Sequence, residues 1–289
     1  MNPLDADPAA LAPPRPQTAQ AELGFACDAN GATYVHRQRV GYPFHVGRSL
    51  KMPGDPPGMP TVYLQSCSGG IFEGDNLRLC ITAREGAAAH VASAASTVVH
   101  SMVLQAASQQ VELHAQAGSF LEYLPDPVIL FPRAKLTSGV RVSVHPGATV
   151  ILGESVLLHD PKGGDDRFDW LQSETVIEDA AGKLLARDRF RIEGVQLARG
   201  FAGITGSWKA QGSLFVVTSA KPPAELVAAM RAALASAGVY AGATILPNQS
   251  GAWSRILASD AAALKTALFS VWAAVRQTLT GAAPMPRRK

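Results

Sequence analysis

The sequence has few cysteines and few aromatic residues. Its 289 residues include 3 Cys, and Phe, Trp and Tyr together make up 7%. Cys27, Cys67 and Cys80 are widely spaced and form no CxxC motif, which argues against both a disulfide framework and a zinc site. An odd number of cysteines without such a framework predicts a protein of the reducing cytoplasm.

A large excess of one charge sign and a long apolar run are also missing. The net charge is +3, from 26 Lys and Arg against 23 Asp and Glu, and the basic residues are dispersed except for Arg287–Lys289. This distribution is not that of a nucleic-acid-binding protein. No segment approaches the run of about 20 apolar residues that crosses a bilayer. We therefore expect neither a nucleic acid nor a membrane among the partners.

Familiar catalytic motifs are absent as well. The sequence contains no GxSxG elbow, no SxxK, no HExxH and no EF-hand calcium loop. Its 7 histidines occur singly, whereas a metal ligand needs convergent partners. The sequence therefore predicts a protein that is not an enzyme. One catalytic alternative stays open, a hydrolase in which two acids such as Asp75 and Glu122 pair across neighbouring strands.

Glycine and acidic residues are concentrated in one stretch, Thr61–Arg84. Two apolar segments flank a turn, and the second segment alternates apolar and polar residues. This pattern predicts a hairpin-like strand, turn and strand, on which Cys67 and Cys80 could face each other. Three glycines are the predicted structural residues of the turn: Gly69, Gly70 and Gly74. Its acidic and amide side chains could cap the turn or hold a cation: Glu73, Asp75 and Asn76.

A repeated pattern follows this turn. Three segments read as an alternating strand, a turn that ends in glycine and a second apolar strand, and a fourth copy is looser. The turn glycines lie about 30 residues apart, at Gly86, Gly118, Gly147 and Gly182. Two strands per repeat predict a mainly β fold whose sheets are layered or stacked as in a solenoid.

The ends of the chain differ from its middle. Residues 1–20 are rich in Pro, Ala and Asp and are predicted to be a disordered leader. A single β-rich domain is predicted for 21–282. It contains two helices, at about 223–236 and 260–280, whose apolar residues recur at helical spacing. Residues 283–289 form a basic tail.

Four blocks of the sequence together resemble the family of the urease accessory protein UreD, also called UreH. In chain order they are GGIFEGDNLRL (69–79), EGAAAHVASAAST (85–97), LEYLPDPVILFPRAKL (121–136), and ILPN followed by SRIL (within 245–257). The resemblance extends from about residue 30 to residue 282. It implies a solenoid-like β scaffold with two helices, in agreement with the pattern of strands and turns.

The resemblance also implies a function. Members of this family are cytoplasmic assembly factors that join the accessory protein UreF and the GTPase UreG on apo-urease during nickel insertion. It implies no stably bound cofactor, only nickel in transit through an internal polar channel. A relay of this kind needs weak oxygen ligands, because imidazole or thiolate ligands would retain the ion. The candidate transit residues are Glu73, Asp75, Glu122 and Asp166.

The chain departs from the family pattern at several positions. Val91 and Ala92 replace a pair of threonines, Thr97 replaces a basic residue, and His159 replaces the first residue of a Gly-Arg pair. Loss of two hydroxyl groups would make part of a channel less favourable for a cation. A second alternative to the assembly factor is a β-solenoid module that binds carbohydrate or protein. That alternative predicts a row of exposed aromatic residues on one sheet face.

Overall fold

A computed structural model describes residues 18–164, 166–202 and 205–286. In chain order its strands are β1 (Thr18–Cys27), β2 (Thr33–Val40), β3 (Phe44–Val46), β4 (Thr61–Ser66), β5 (Asn76–Ala83), β6 (Ala88–Ser93), β7 (Thr97–Val99), β8 (Ala107–Ala115), β9 (Phe120–Tyr123), β10 (Val128–Leu130), β11 (Lys135–Val144), β12 (Thr149–Leu158), β13 (Trp170–Asp179), β14 (Leu184–Glu193), β15 (Ala210–Val217), β16 (Tyr240–Ile245) and β17 (Gly251–Ala258). The helices are α1 (Gly194–Arg199), α2 (Pro223–Leu234) and α3 (Ala261–Thr280).

The strands form two sheets. Sheet A has 7 strands in the order β14-β13-β11-β8-β5-β1-β2. Sheet B has 10 strands and follows the order β16-β17-β15-β12-β9-β6-β4-β3, with β10 and β7 joined to it beside β12. The central pairs β5 with β8, β8 with β11, β6 with β9 and β9 with β12 are all parallel. The structure thus confirms a mainly β, solenoid-like fold.

Each coil of the solenoid places one strand in sheet A and the next in sheet B, with a glycine at the turn between them. Gly86, Gly118 and Gly147 have φ of 68°, 65° and 73°, in the region that residues with a side chain rarely adopt. The Gly86 amide donates to the Ala117 carbonyl at 3.0 Å, which ties one turn to the next coil. The repeat seen in the sequence is therefore one structural coil.

Apolar side chains fill the two spaces that this arrangement creates. Alternate residues of sheet A, such as Ile81 and Leu113, pack against Leu121 and Val150 of sheet B. The opposite face of sheet B packs on α2 and α3 through residues that include Met230 and Val271. The result is three layers, sheet A, sheet B and a helical layer. Alternation with period two in the strands and helical spacing in α2 and α3 explain which side chains enter each space.

The helical layer agrees closely with the sequence prediction. Helix α2 begins with Pro223 at its first turn, and the Asp260 carboxylate caps α3 by accepting from the Ala263 amide at 2.9 Å. The short helix α1 was not predicted, because six residues are too few for an apolar stripe to be recognised. No helix among the described residues is both long and apolar enough to cross a membrane.

Three sequence predictions need correction. The stretch Thr61–Arg84 is not a hairpin, because β4 lies in sheet B and β5 in sheet A. Cys80 lies on β5 of sheet A and Cys67 follows the end of β4 of sheet B, so the two do not face each other across a hairpin. The fourth repeat differs from the others, since β13 and β14 form an antiparallel hairpin within sheet A. Strand β1 begins at Thr18, inside the predicted leader, whose residues 1–17 lie outside the described part of the chain.

Candidate functional site

Three cavities adjoin one another around the segment that follows β9. Two are lined by residues of both sheets, and the third lies between sheet B and α3. Their volumes are about 70, 140 and 420 Å³, and Pro125 and Asp126 line all three. A water molecule needs about 10–15 Å³ of such volume, so each cavity is large enough for water. The rigid Leu-Pro-Asp-Pro segment after β9 is therefore the point where the three cavities meet.

Amide, hydroxyl and carboxyl side chains line these cavities, together with His90 and Lys265 in the cavity of 140 Å³ and Cys67 in the cavity of 420 Å³. The largest of these three cavities is bordered by Gln109, Gln110 and Thr97, and the smallest of the three by Gln109, Ser138 and Ser173. Amide and hydroxyl oxygens of this kind are weak ligands for late first-row transition metal ions. The amide and hydroxyl side chains of these cavities could therefore contact a cation without holding it tightly.

Glu154 on β12 is the titratable residue with the most unusual environment in this region. It lines two of the cavities, and its carboxylate accepts from the Thr175 hydroxyl at 2.7 Å. Burial raises its pKa to about 7, and Asp188 adds to this effect, whereas the Thr175 hydrogen bond and the Arg255 charge oppose it. Near neutral pH the carboxyl group can therefore gain or lose a proton easily.

The raised pKa of Glu154 predicts a pH-dependent effect of its replacement. Folding stability falls as pH rises from the ordinary value of 4.5 towards 7, because the folded state holds the Glu154 proton more tightly. Glu154→Gln removes this penalty, so we expect a gain of about 2 kcal/mol at pH 8 and almost none at pH 4.5. Urea denaturation at both pH values measures the difference.

Glu174→Gln is the matched control for this experiment. Glu174 is on β13, the next strand in the chain, which belongs to sheet A, and it forms an ion pair with Arg187 away from the cavities. Its replacement should give no gain at pH 8. An equal gain for Glu154→Gln at both pH values would contradict the assigned pKa.

Glu73, a predicted transit residue, holds two loops together. Its exposed carboxylate accepts hydrogen bonds from the backbone amides of Val103, Leu104 and Gln105, at 3.0 Å and 2.6 Å for the first and last. The bonds from Val103 and Gln105 lower its pKa. Glu73 therefore remains ionised and anchors the segment that follows β7.

Asp75 caps the glycine-rich turn. Its buried carboxylate accepts from the Phe72 amide at 2.8 Å, and burial raises its pKa although this bond opposes the change. The predicted structural glycines of this turn all have positive φ, 80° at Gly69, 148° at Gly70 and 76° at Gly74. Gly69 and Gly70 also border the largest cavity, so the turn forms part of its wall.

Glu122 lies in a buried polar network beneath α3. Its carboxylate accepts from Trp272 Nε1 at 2.9 Å and Arg276 Nε at 2.9 Å, and it contacts His90 Nδ1 at 2.7 Å. Burial opposes its ionisation, but the hydrogen bonds and charges of His90 and Arg276 outweigh burial and lower its pKa. Because the carboxylate already has several donors, we assign it a structural role.

The remaining predicted positions lie elsewhere. Asp166 is exposed in the loop before β13, and its carbonyl accepts from its neighbour Arg167 at 3.3 Å. Among the described residues the structure does not join Glu73, Asp75, Glu122 and Asp166 into one metal-binding group. The departures Ala92 and Thr97 border cavities, whereas Val91 packs in the core and His159 is exposed.

The two alternative functions gain no support from the geometry. Glu122 is committed to its cationic partners and Asp75 to its turn, so they do not form the acid and base pair of a hydrolase. Among the described residues, the strongly exposed tyrosines and phenylalanines make no ring contact with one another: Tyr34, Tyr42, Phe72, Phe201 and Tyr240. A carbohydrate-binding face would require them to be adjacent.

Sequence reasoning missed the residues that lie closest to the cavities. Asp126 was visible in the Leu-Pro-Asp-Pro motif, but only the fold brings it beside Glu154. Arg276 follows Trp272 by four residues, one helical turn, within the apolar stripe of α3. An arginine in such a stripe indicates a buried acid, although its partner Glu122 could not be identified from sequence.

The chain is therefore a solenoid-like β protein with three adjoining cavities and a buried ionic network. The family model described as UreD urease accessory protein matches residues 17–289. The chain is 46% identical over 270 residues to urease accessory protein UreD 1 of Pseudomonas syringae pv. syringae (strain B728a), covering 93% of this chain and 95% of that protein. It is 40% identical over 281 residues to urease accessory protein UreD 1 of Methylorubrum extorquens (strain PA1), covering 97% of this chain and 95% of that protein.

A more distant relative has a similar extent. The chain is 31% identical over 270 residues to urease accessory protein UreD of Haloarcula marismortui (strain ATCC 43049), covering 92% of this chain and 89% of that protein. The chain therefore belongs to the UreD urease accessory protein family, which confirms the resemblance seen in the sequence.

Proposed function

We propose that this chain is a non-catalytic assembly factor that assists nickel insertion into apo-urease in the cytoplasm. In this proposal it acts in a complex with a UreF-like protein and a UreG-like GTPase. Membership of the UreD family supports a role in urease maturation. The nickel ion is cargo and not a resident cofactor.

The observation that carries the proposal is the series of cavities that meets at Pro125 and Asp126. A nickel ion in transit must exchange ligands quickly, and amide, hydroxyl and carboxylate oxygens permit this exchange better than imidazole and thiolate ligands do. Glu154 would supply a negative charge when deprotonated and would release the ion as it regains a proton. No bond of a substrate is made or broken in this process.

The four transit residues predicted from sequence have different places in this proposal. Asp75 and Glu73 belong to the turn that borders the largest cavity, and they would act near its entrance. Asp166 is exposed and could serve a partner surface. Glu122 would hold α3 against sheet B and take no direct part in transfer.

Nickel content of urease tests the proposal. The variant Glu154→Gln keeps the size of the side chain and removes its charge, so we expect urease made with it to contain several-fold less nickel per active site. The chain would be expressed together with the urease subunits and the UreF-like and UreG-like proteins. Nickel would be measured in purified urease by mass spectrometry.

Two controls make this experiment decisive. Glu174→Gln changes an outward-facing glutamate of the same charge and should leave the nickel content unchanged. Affinity purification of both variants should recover equal amounts of the UreF-like partner, which shows that assembly is intact. Unchanged nickel content with Glu154→Gln would exclude this carboxylate from the route, and failure to recover any partner would contradict the assembly role.

A further inference from the structure

Three potential metal ligands meet on the outer face of sheet A. The Cys80 sulfur, a Glu112 carboxylate oxygen and a His114 ring nitrogen all lie within 4.8 Å of one another. His114 Nε2 and Glu112 Oε2 are 3.6 Å apart. Cys80 and His114 are partly buried and Glu112 is exposed, so a cation could reach them from solvent.

The fold explains how residues so distant in sequence come together. Cys80 on β5 and Glu112 on β8 are directly opposite each other in the parallel register. His114 is two residues beyond Glu112 and therefore points to the same face of the strand. The core residues Leu79, Ile81 and Leu113 alternate with them and face inwards. One coil of the solenoid thus converts a long sequence separation into a side-by-side contact.

We propose that Cys80, Glu112 and His114 form a binding site for a divalent transition metal ion such as Zn²⁺, Co²⁺ or Ni²⁺. Thiolate, imidazole and carboxylate are the three ligand types of tetrahedral zinc sites, with bonds of about 2.0–2.3 Å. A thiolate also selects against Mg²⁺ and Ca²⁺, which prefer oxygen ligands. Side-chain rotation would bring the three atoms to bonding distance, and a water molecule would complete the coordination.

The surrounding charges are consistent with this site. Glu22 on β1 lies opposite Cys80 in the strand register, on the side away from Glu112. Its carboxylate forms an ion pair with the Arg37 guanidinium at 2.6 Å. Arg141 on β11 lies opposite Glu112 in the strand register, on the side away from Cys80. Its guanidinium forms an ion pair with Glu178 at 2.6 Å. Glu112, which lies within the cluster, therefore supplies the negative charge that attracts a cation.

The thiol must lose its proton when the metal binds. Burial raises the pKa of Cys80, and the charges of Glu112 and Glu22 add to this effect. Metal binding therefore releases a proton and should become tighter as pH rises. The site lies on the opposite face of sheet A from the cavities, so the inference goes beyond the proposed nickel route and does not depend on it.

Cobalt binding to the purified full chain tests the site. Co²⁺ bound to a thiolate gives a charge-transfer absorption band in the near ultraviolet, and Zn²⁺ added afterwards should abolish it. We expect one Co²⁺ per chain with this band. Cys80→Ser should eliminate the band. Loss of a residue that only hydrogen-bonds to a metal ligand weakens metal binding by roughly 10–100-fold. His114→Gln and Glu112→Gln each remove a proposed ligand itself, so each should weaken Co²⁺ binding by more than that.

Cys67→Ser is the matched control, because Cys67 is an exposed thiol outside the cluster. This variant should keep the full band and affinity. Circular dichroism and thermal unfolding of each variant establish that the fold is retained. The proposal is overturned if the wild-type chain shows no band, if the band survives Cys80→Ser, or if His114→Gln binds Co²⁺ as tightly as the wild-type chain does.

Discussion

Replacement of Arg276 by methionine is expected to lower the free energy of unfolding by about 3–5 kcal/mol. The guanidinium is completely buried and donates to Glu122 and, at 2.6 Å, to Asp55. Methionine fills much of the same volume, but it leaves two carboxylates inside the protein without this cation. The cost of those uncompensated charges, and not lost packing, determines the effect.

Urea denaturation of the two proteins measures this loss directly. Lys221→Met is a suitable control, because the Lys221 ammonium forms an exposed pair with Glu225 at 3.4 Å, one turn apart near the start of α2. Its replacement should cost less than about 0.5 kcal/mol. A loss below about 1 kcal/mol for Arg276→Met would show that the buried network contributes no more than a surface ion pair.

The pH dependence of Arg276→Met gives a second and independent result. In the wild-type chain the pKa of Glu122 is lowered, so its contribution to stability is present above its ordinary value of 4.5 and is lost in stronger acid. Without Arg276 this pKa should rise, because only His90 is left of the two cations whose hydrogen bonds and charges oppose burial. Acidification from pH 7 to pH 5 should then stabilise the variant relative to the wild-type chain, and the opposite trend would contradict the ionised state of Glu122.

The network also shows which parts of the fold the sequence could reveal. Alternation within the strands and the turn glycines predicted the first three coils correctly, because both are local consequences of backbone geometry. The stripe of α3 likewise followed from helical spacing. The assignment of β4 and β5 to different sheets was missed, because a tight hairpin and a passage between two sheets have the same local pattern.

The candidate sites were harder to predict than the fold. Glu122 was singled out from sequence, but its partner Arg276 is 154 residues away and is brought close only by packing of α3 on sheet B. Cys80 and Glu112 are adjacent because of the parallel register, which depends on the exact length of a coil. Once the repeat is aligned coil by coil, such neighbours can be identified directly from the sequence.

Replacement of Gly70 by alanine is expected to cost about 3 kcal/mol, because a steric clash and an unfavourable backbone conformation add together. A Cβ atom at Gly70 would lie 2.4 Å from the Val98 carbonyl oxygen and 2.8 Å from His100 Nε2. The φ of Gly70 is 148°, a conformation that residues with a side chain rarely adopt. The same carbonyl accepts from the Ile71 amide at 2.7 Å, so the turn cannot move away without losing that bond.

Gly69→Ala separates the two contributions, because its φ is also positive, 80°, but nothing lies within 4 Å of its added Cβ atom. Only the backbone cost of about 1–2 kcal/mol should remain there. The midpoint of thermal unfolding should therefore fall by roughly 6–12 °C for Gly70→Ala and by roughly 2–8 °C for Gly69→Ala. Equal losses would mean that close contact between the turn and β7 does not constrain the wall of the largest cavity. The unequal losses that we expect would show that glycine at position 70 is required by its neighbours as well as by its own backbone.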